Sequence, residues 1–116
     1  MKVIKTGEVK AQESTSAIFR GKVHTQSLID EKIARELQIR VVSFTPGART
    51  VLHTHTNEQV LYVTDGEGIL ATEKEEHVVT PGTIIFIPSG ELHWHGATSN
   101  TSFTHISITT PGETKF

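Results

Sequence analysis

From residue 38 onward, apolar and polar positions alternate in short runs, and turn dipeptides interrupt them at close intervals. QIRVVSFT (38–45) is rich in β-branched residues and ends at Pro46-Gly47, and RTVLHTH (49–55) ends at the polar pair Thr56-Asn57. QVLYVT (59–64) runs into Asp65-Gly66, a strong short-range hairpin signal. GILATEK (68–74) and HVVT (77–80) flank a charged turn and lead to Pro81-Gly82. TIIFIP (83–88) is continuously apolar, which predicts a strand buried on both faces. Beyond Ser89-Gly90, ELHWHGAT (91–98) and SFTHISIT (102–109) complete the series. Many short strands with no intervening helix predict an all-β sandwich or barrel. In SLIDEKIARELQ (27–38) the apolar positions 28, 29, 33 and 37 fit only a short helix, or else a loop leading into the first long strand. The expected organisation is one domain, 1–116, with a barrel core over about 38–110 and an N-terminal arm over 1–37.

Composition narrows the function classes. A formal net charge of −2 gives no footprint for nucleic acid or an anionic membrane. No apolar run approaches the roughly 20 residues of a membrane span. The start, MKVIKTGEVK, alternates polar and apolar residues, unlike a signal peptide, so a cytoplasmic location is expected. The absence of cysteine removes disulfides, thiol nucleophiles and thiolate metal sites. The unusual count is histidine: there are seven, against one Trp, one Tyr and one Met. Histidine is the commonest metal ligand and the usual acid–base group near neutral pH, so the spacing of the seven becomes decisive.

Residues i and i+2 of a strand share a face. His53 and His55 therefore project together, as do His93 and His95 if that stretch is extended. Two imidazoles from one strand and one from another, converging inside a barrel, make a facial metal site. His24 and His77 lie in polar surroundings and read as ordinary single histidines. Gly47, His53, His55, Gln59 and Gly66 follow G-x5-H-x-H-x3-(E/Q)-x6-G, while Gly82, Pro88, Gly90 and His93 follow G-x5-P-x-G-x2-H. With these two motifs the chain resembles the cupin superfamily across 38–110, which implies a single jelly-roll (double-stranded β-helix) barrel. It departs from the usual pattern at Gln59, where glutamate is commoner, and at Ala97, where an asparagine often closes the second motif.

The next residue to Gln59 is a carboxylate, Glu58, so the identity of a fourth ligand has to be settled. Motif spacing favours Gln59. Alternation puts Gln59, Leu61 and Val63 on one face and Glu58, Val60 and Tyr62 on the other, and moving Glu58 inward would turn the whole strand over. Three imidazoles and an amide oxygen leave a divalent ion its full charge, which suits stabilisation of an alkoxide, enolate or carboxylate oxygen. The non-haem iron oxygenase set of two histidines and one carboxylate is missing.

PGARTVLHTH (46–55), Gln59, HWHGAT (93–98) and THISI (104–108) together resemble the small cupins associated with carboxymuconolactone decarboxylases, a subgroup that includes manganese-dependent bacterial hydroxynitrile lyases. That resemblance implies metal ligands at His53, His55, Gln59 and His93, and a pocket built from Phe44, Thr50, His95 and His105. It also implies manganese, with Fe, Ni, Co or Zn as other divalent choices. On its own, the strand pattern places His95 one step beyond His93 on the same face, near the metal without necessarily binding it. His105 alternates with Phe103 and Ser107; it is either a neutral base or a packed histidine. Thr50 either steers a substrate hydroxyl or simply packs. Trp94 should face outward.

The expected activity is a metal-dependent lyase acting on a small hydroxy or carbonyl compound, with His105 or His95 moving the proton and Phe44 near the organic group. Other readings are a cupin dioxygenase, a sugar-acid isomerase or ring-opening enzyme, and a non-catalytic ligand-binding cupin. Arg49 alternates opposite Thr50, and no other arginine obviously faces inward, which weighs against the sugar-acid reading. A homo-oligomer, dimer or tetramer, is expected, and the strand-like segment KVIKTGEV (2–9) offers an edge that could pair with a neighbour's sheet.

Overall fold

Alternation along 38–109 does produce strands. The computed structural model, which describes residues 1–116, contains β1 (Gln12–Glu13), β2 (Phe19–Arg20), β3 (Val23–Ile29), β4 (Gln38–Phe44), β5 (Arg49–Thr50), β6 (Thr54–His55) and β7 (Gln59–Gly66). It continues with β8 (Gly68–Ala71), β9 (Glu76–Val79), β10 (Ile84–Ile87), β11 (Trp94–Ala97), β12 (Phe103–Thr109) and β13 (Thr114–Lys115). They form a six-stranded sheet in the order β1-β3-β4-β12-β7-β10 and a five-stranded sheet in the order β2-β5-β11-β8-β9, all with antiparallel pairing. A third pairing, β13 with β6, lies apart from both. Facing sheets of this connectivity make an all-β jelly roll, as the resemblance implied.

The core lies between the sheets. Val23, Phe44, Leu61, Val63 and Phe103 project from the first and Leu70, Val79 and Ala97 from the second. Strand register then arranges the inward side chains of the larger sheet in successive rows. Phe103 pairs with Phe44, which pairs with Val23; His105 pairs with Val42, which pairs with Thr25; Ser107 pairs with Arg40, which pairs with Ser27. The rows thus change from aromatic to imidazole to hydroxyl and guanidinium along a single sheet. One end of the jelly roll is packed shut, and the other can hold a polar ligand.

Five expectations need correction or resolution. Strand β10 is buried on one face only: Ile87 is buried, whereas Ile84 and Phe86 are 66% and 56% exposed. Its apolar run therefore marks an outward apolar face, continued by Tyr62 opposite Ile84. Asp65-Gly66 does not close a hairpin, because β7 and β8 belong to different sheets. Gly66 has φ +74°, and an added Cβ would collide with the Ser102 carbonyl, so the glycine allows the chain to turn from one sheet to the other. Stretch 49–55 is broken into β5 and β6 instead of forming one strand. Segment 27–38 forms no helix: it begins as the end of β3 and then turns at Asp30, whose carbonyl accepts the Ile33 and Ala34 N–H groups. Segment 2–9 contains a short 3₁₀ turn, Thr6–Glu8, and no strand.

Replacing Gly66 with alanine should lower unfolding stability by more than about 2 kcal/mol, since it combines left-handed strain with a backbone collision. A chemical-denaturation midpoint equal to that of the parent chain would contradict this account of the corner.

Candidate metal centre

His53 and His93 are joined by a backbone bridge, in which the His53 N–H donates to the His93 carbonyl (2.9 Å) and the His93 N–H to the His53 carbonyl (3.0 Å). This reciprocal pair brings two distant parts of the sequence side by side, with ring centroids 4.2 Å apart. Both rings are then aimed by the same device. His53 Nδ1 donates to the Val51 carbonyl and His93 Nδ1 to the Glu91 carbonyl, each at 2.8 Å. These bonds put the proton on Nδ1 and leave Nε2 with a free lone pair. His55 follows two residues after His53, and its Nδ1 bonds Thr114 Oγ1 at 2.9 Å. One ring nitrogen from each of His53, His55 and His93 lies within 4.8 Å of the others.

Gln59 is buried, and Glu58 is exposed, as the strand register predicts. The Gln59 amide nitrogen donates to Ser107 Oγ at 2.9 Å, which orients the amide and leaves its oxygen free. Buried polar atoms without a partner include His55 Nε2, His93 Nε2 and Gln59 Oε1. Leaving such atoms unpaired costs about 1–3 kcal/mol each, and all three are electron-pair donors. A divalent cation satisfies them together, so the residues present fit the metal that the resemblance implies.

The remaining two expected histidines adjoin this cluster. His95 stacks parallel to His93 with centroids 5.9 Å apart. Its Nδ1 lies 3.3 Å from His105 Nε2, a hydrogen-bonded pair of buried rings. Thr50 Oγ1 accepts the His95 backbone N–H at 3.1 Å, so its own hydroxyl proton remains available to the cavity it lines. Burial lowers the pKa of all five rings, to about 4 at His53 and about 3 at His105. At pH 7 the cluster is therefore neutral without a metal, with lone pairs available for coordination or proton transfer.

A cavity of about 290 Å³ opens onto His53, His55, Gln59, His95 and His105. Phe44 lies beneath it: only 1% exposed, it packs against the His95 and His105 rings with centroids 5.7 Å away in each case and does not line the cavity. Ile18, Phe19, Val42 and Phe116 supply the apolar lining instead. Trp94 faces outward as expected, with the Arg49 guanidinium 3.6 Å from its ring centroid.

Arg40, Ser107 and Thr114 are among the lining residues that the sequence reading did not assign to the site. No arginine obviously faces inward from the sequence, yet Arg40, although exposed, borders the cavity. Alternation back from Phe44 through Val42 puts it on the face they share. Ser107 was readable in the same way from His105. Thr114 had no local signal, because β13 reaches His55 only by tertiary pairing.

A model of the cupin domain family matches residues 40–109, more than half of the chain. An (R)-mandelonitrile lyase of Granulicella tundricola is 34% identical over 112 residues, covering 93% of this chain and 83% of that protein. Among solved structures, a cupin-like protein from Thermotoga maritima matches with a TM-score of 0.86 and 30% identity, covering all of this chain and 88% of that one. The polyketide cyclase RemF from Streptomyces resistomycificus matches with a TM-score of 0.87 at 24% identity, covering all of this chain and 86% of that one, a likeness of fold.

The lowered histidine pKa values set a pH dependence for the metal-free protein. Below about pH 6.5 the unfolded chain takes up protons that the folded chain refuses until about pH 4 at His53 and about pH 3 at His105. Stability is fully present above the unfolded value and falls as pH drops through this window. Melting temperatures measured in chelator should decline from pH 7 to pH 5; a flat profile would contradict neutral burial of the cluster.

Proposed function

Because the chain belongs to the cupin domain family, we propose that it is a metal-dependent lyase acting on a small hydroxy or carbonyl compound, with His53, His55, His93 and Gln59 as the ligands of a divalent ion and manganese as the preferred metal. The observation that carries this reading is the set of unpartnered donors, His55 Nε2, His93 Nε2 and Gln59 Oε1, beside a pair of neutral histidines. It is supported by the 34% identity to a mandelonitrile lyase over nearly the whole chain.

A divalent metal held by neutral ligands supplies Lewis acidity and a site for an anionic oxygen or leaving group. The chain's own residues supply proton movement and orientation. In cyanohydrin cleavage, the substrate hydroxyl proton passes to the His95–His105 pair, the carbon–nitrile bond breaks, and its electrons leave with cyanide, which then accepts a proton. Burial keeps both rings neutral at pH 7 and therefore able to accept that proton. Thr50 is set to donate its free hydroxyl to the substrate oxygen. Phe44 acts from beneath, fixing the two rings, while Phe19 and Val42 border the organic group.

No Asp or Glu lines the cavity, which favours this reading over the oxygenase set of two histidines and one carboxylate. The natural assembly is proposed to be a homodimer in which a second copy covers Tyr62, Ile84 and Phe86, three large apolar residues left exposed on neighbouring strands.

Manganese-loaded protein should cleave mandelonitrile above the metal-free control, as read by benzaldehyde release. Equal rates in the two forms would contradict the lyase assignment. His53→Ala should lose bound metal and cleavage together, whereas retained stoichiometric metal would contradict the ligand set. Phe86→Glu should shift the chain to monomer in sedimentation experiments; an unchanged assembly would place the interface elsewhere.

A further inference from the structure

Arg40 is unlike the other arginines of the chain. By alternation it shares the β4 face of Val42 and Phe44, two and four residues on, and although exposed it lines the cavity. Among the seventeen lining residues it is the only Lys or Arg, and none is Asp or Glu. Its guanidinium has no carboxylate partner: the one lysine or arginine paired with a carboxylate is Lys22, with Glu13. The same residue also lines a second, smaller hollow beside His55 and Gln59, again without an acidic neighbour. An exposed guanidinium at the edge of the cavity, with no carboxylate partner in the structure, is free to meet the anionic end of a ligand.

The register defines where that counter-ion would sit. Arg40 pairs across the sheet with Ser107 on one side and Ser27 on the other. Ser107 Oγ accepts the Gln59 amide, so its own hydroxyl remains available to a ligand. Arg40 and Gln59 lie on β4 and β7, separated only by β12 and offset by two residues along it, roughly 12 Å between backbones. An arginine side chain and a ligand only a few atoms long close that distance.

We propose that Arg40 anchors a carboxylate on the ligand of this site, so that the natural substrate is a small hydroxy or oxo acid with its reacting oxygen at the histidine cluster. This rests on the reading of that cluster as a metal centre. A planar guanidinium fork matches a carboxylate in two parallel hydrogen bonds. A phosphate dianion fits less well, because no second cation lines the wall. The hydroxyls of Ser27 and Ser107, flanking Arg40, add neutral donors suited to the same group. Arg40 is then a specificity-determining residue, and neutral compounds such as cyanohydrins use only the inner part of the cavity.

The test compares two probes that share a phenyl ring and a hydroxyl, mandelate and neutral mandelamide, by calorimetric titration into the parent chain, Arg40→Gln and Arg40→Lys, each with and without manganese. The parent chain should bind mandelate about tenfold more tightly than mandelamide. Arg40→Gln should remove that preference while leaving mandelamide affinity and metal content unchanged, and Arg40→Lys should restore part of it. A preference that survives in Arg40→Gln means the carboxylate goes to the metal, and a parent chain with no preference has no anion anchor; either result overturns the proposal. Failure of the metal reading is seen separately, as a parent chain that takes up no manganese. In that event the ratio measured on metal-free protein decides the role of Arg40, with no preference again overturning it.

Discussion

The site depends on the backbone bridge between His53 and His93. Two hydrogen bonds join a stretch that follows β5 to the one that precedes β11, and they bring together two rings that the sequence separates by forty positions. Once the bridge is in place, little else is needed to assemble the centre. The carbonyls of Val51 and Glu91 fix both rings in the same tautomer, His55 follows by strand alternation, and Gln59 is delivered at the start of β7 with its amide oriented by Ser107. Burying four neutral imidazoles beside the half-buried His55, and leaving His55 Nε2, His93 Nε2 and Gln59 Oε1 unpaired, is unfavourable for the chain alone. A bound cation would offset that cost, which would couple folding to metal affinity at this cluster.

Charge gives the centre its chemical character. With Gln59 inside and Glu58 outside, the cluster presents an amide and not a carboxylate to any ion it would hold. The same absence of acid extends up the cavity wall, where Arg40 adds a further positive charge. Rows of aromatic, imidazole and hydroxyl side chains along one sheet therefore form a gradient from a closed apolar floor to an anion-favouring mouth. Such a cavity suits a short amphipathic ligand, with Phe44 and Phe103 packed against the His105 ring from below.

The parts legible in the sequence were those governed by strict period-two alternation. The strand pattern over 38–109, the pairing of His53 with His55 and the inward choice of Gln59 follow from it, because a one-residue slip would reverse every side chain. What it could not give was the relation between strands. The TIIFIP run is apolar on both sides, yet only one side meets the core, since hydrophobicity does not say whether an outer face is covered. Asp65-Gly66 has hairpin chemistry but joins two sheets, because the pairing partner of β7 is the distant β12. Phe44 was placed in the pocket by resemblance and lies one row too deep. Arg40 is exposed and yet borders the cavity, and alternation does not distinguish a residue at a cavity edge from one that meets only solvent.

A crystal structure of the manganese-loaded protein, with anomalous data collected at the metal absorption edge, tests the central claim most directly. The account predicts one strong peak bounded by Nε2 of His53, His55 and His93 and by Oε1 of Gln59. A peak at any other set of residues, or none between these four in fully loaded protein, would contradict it.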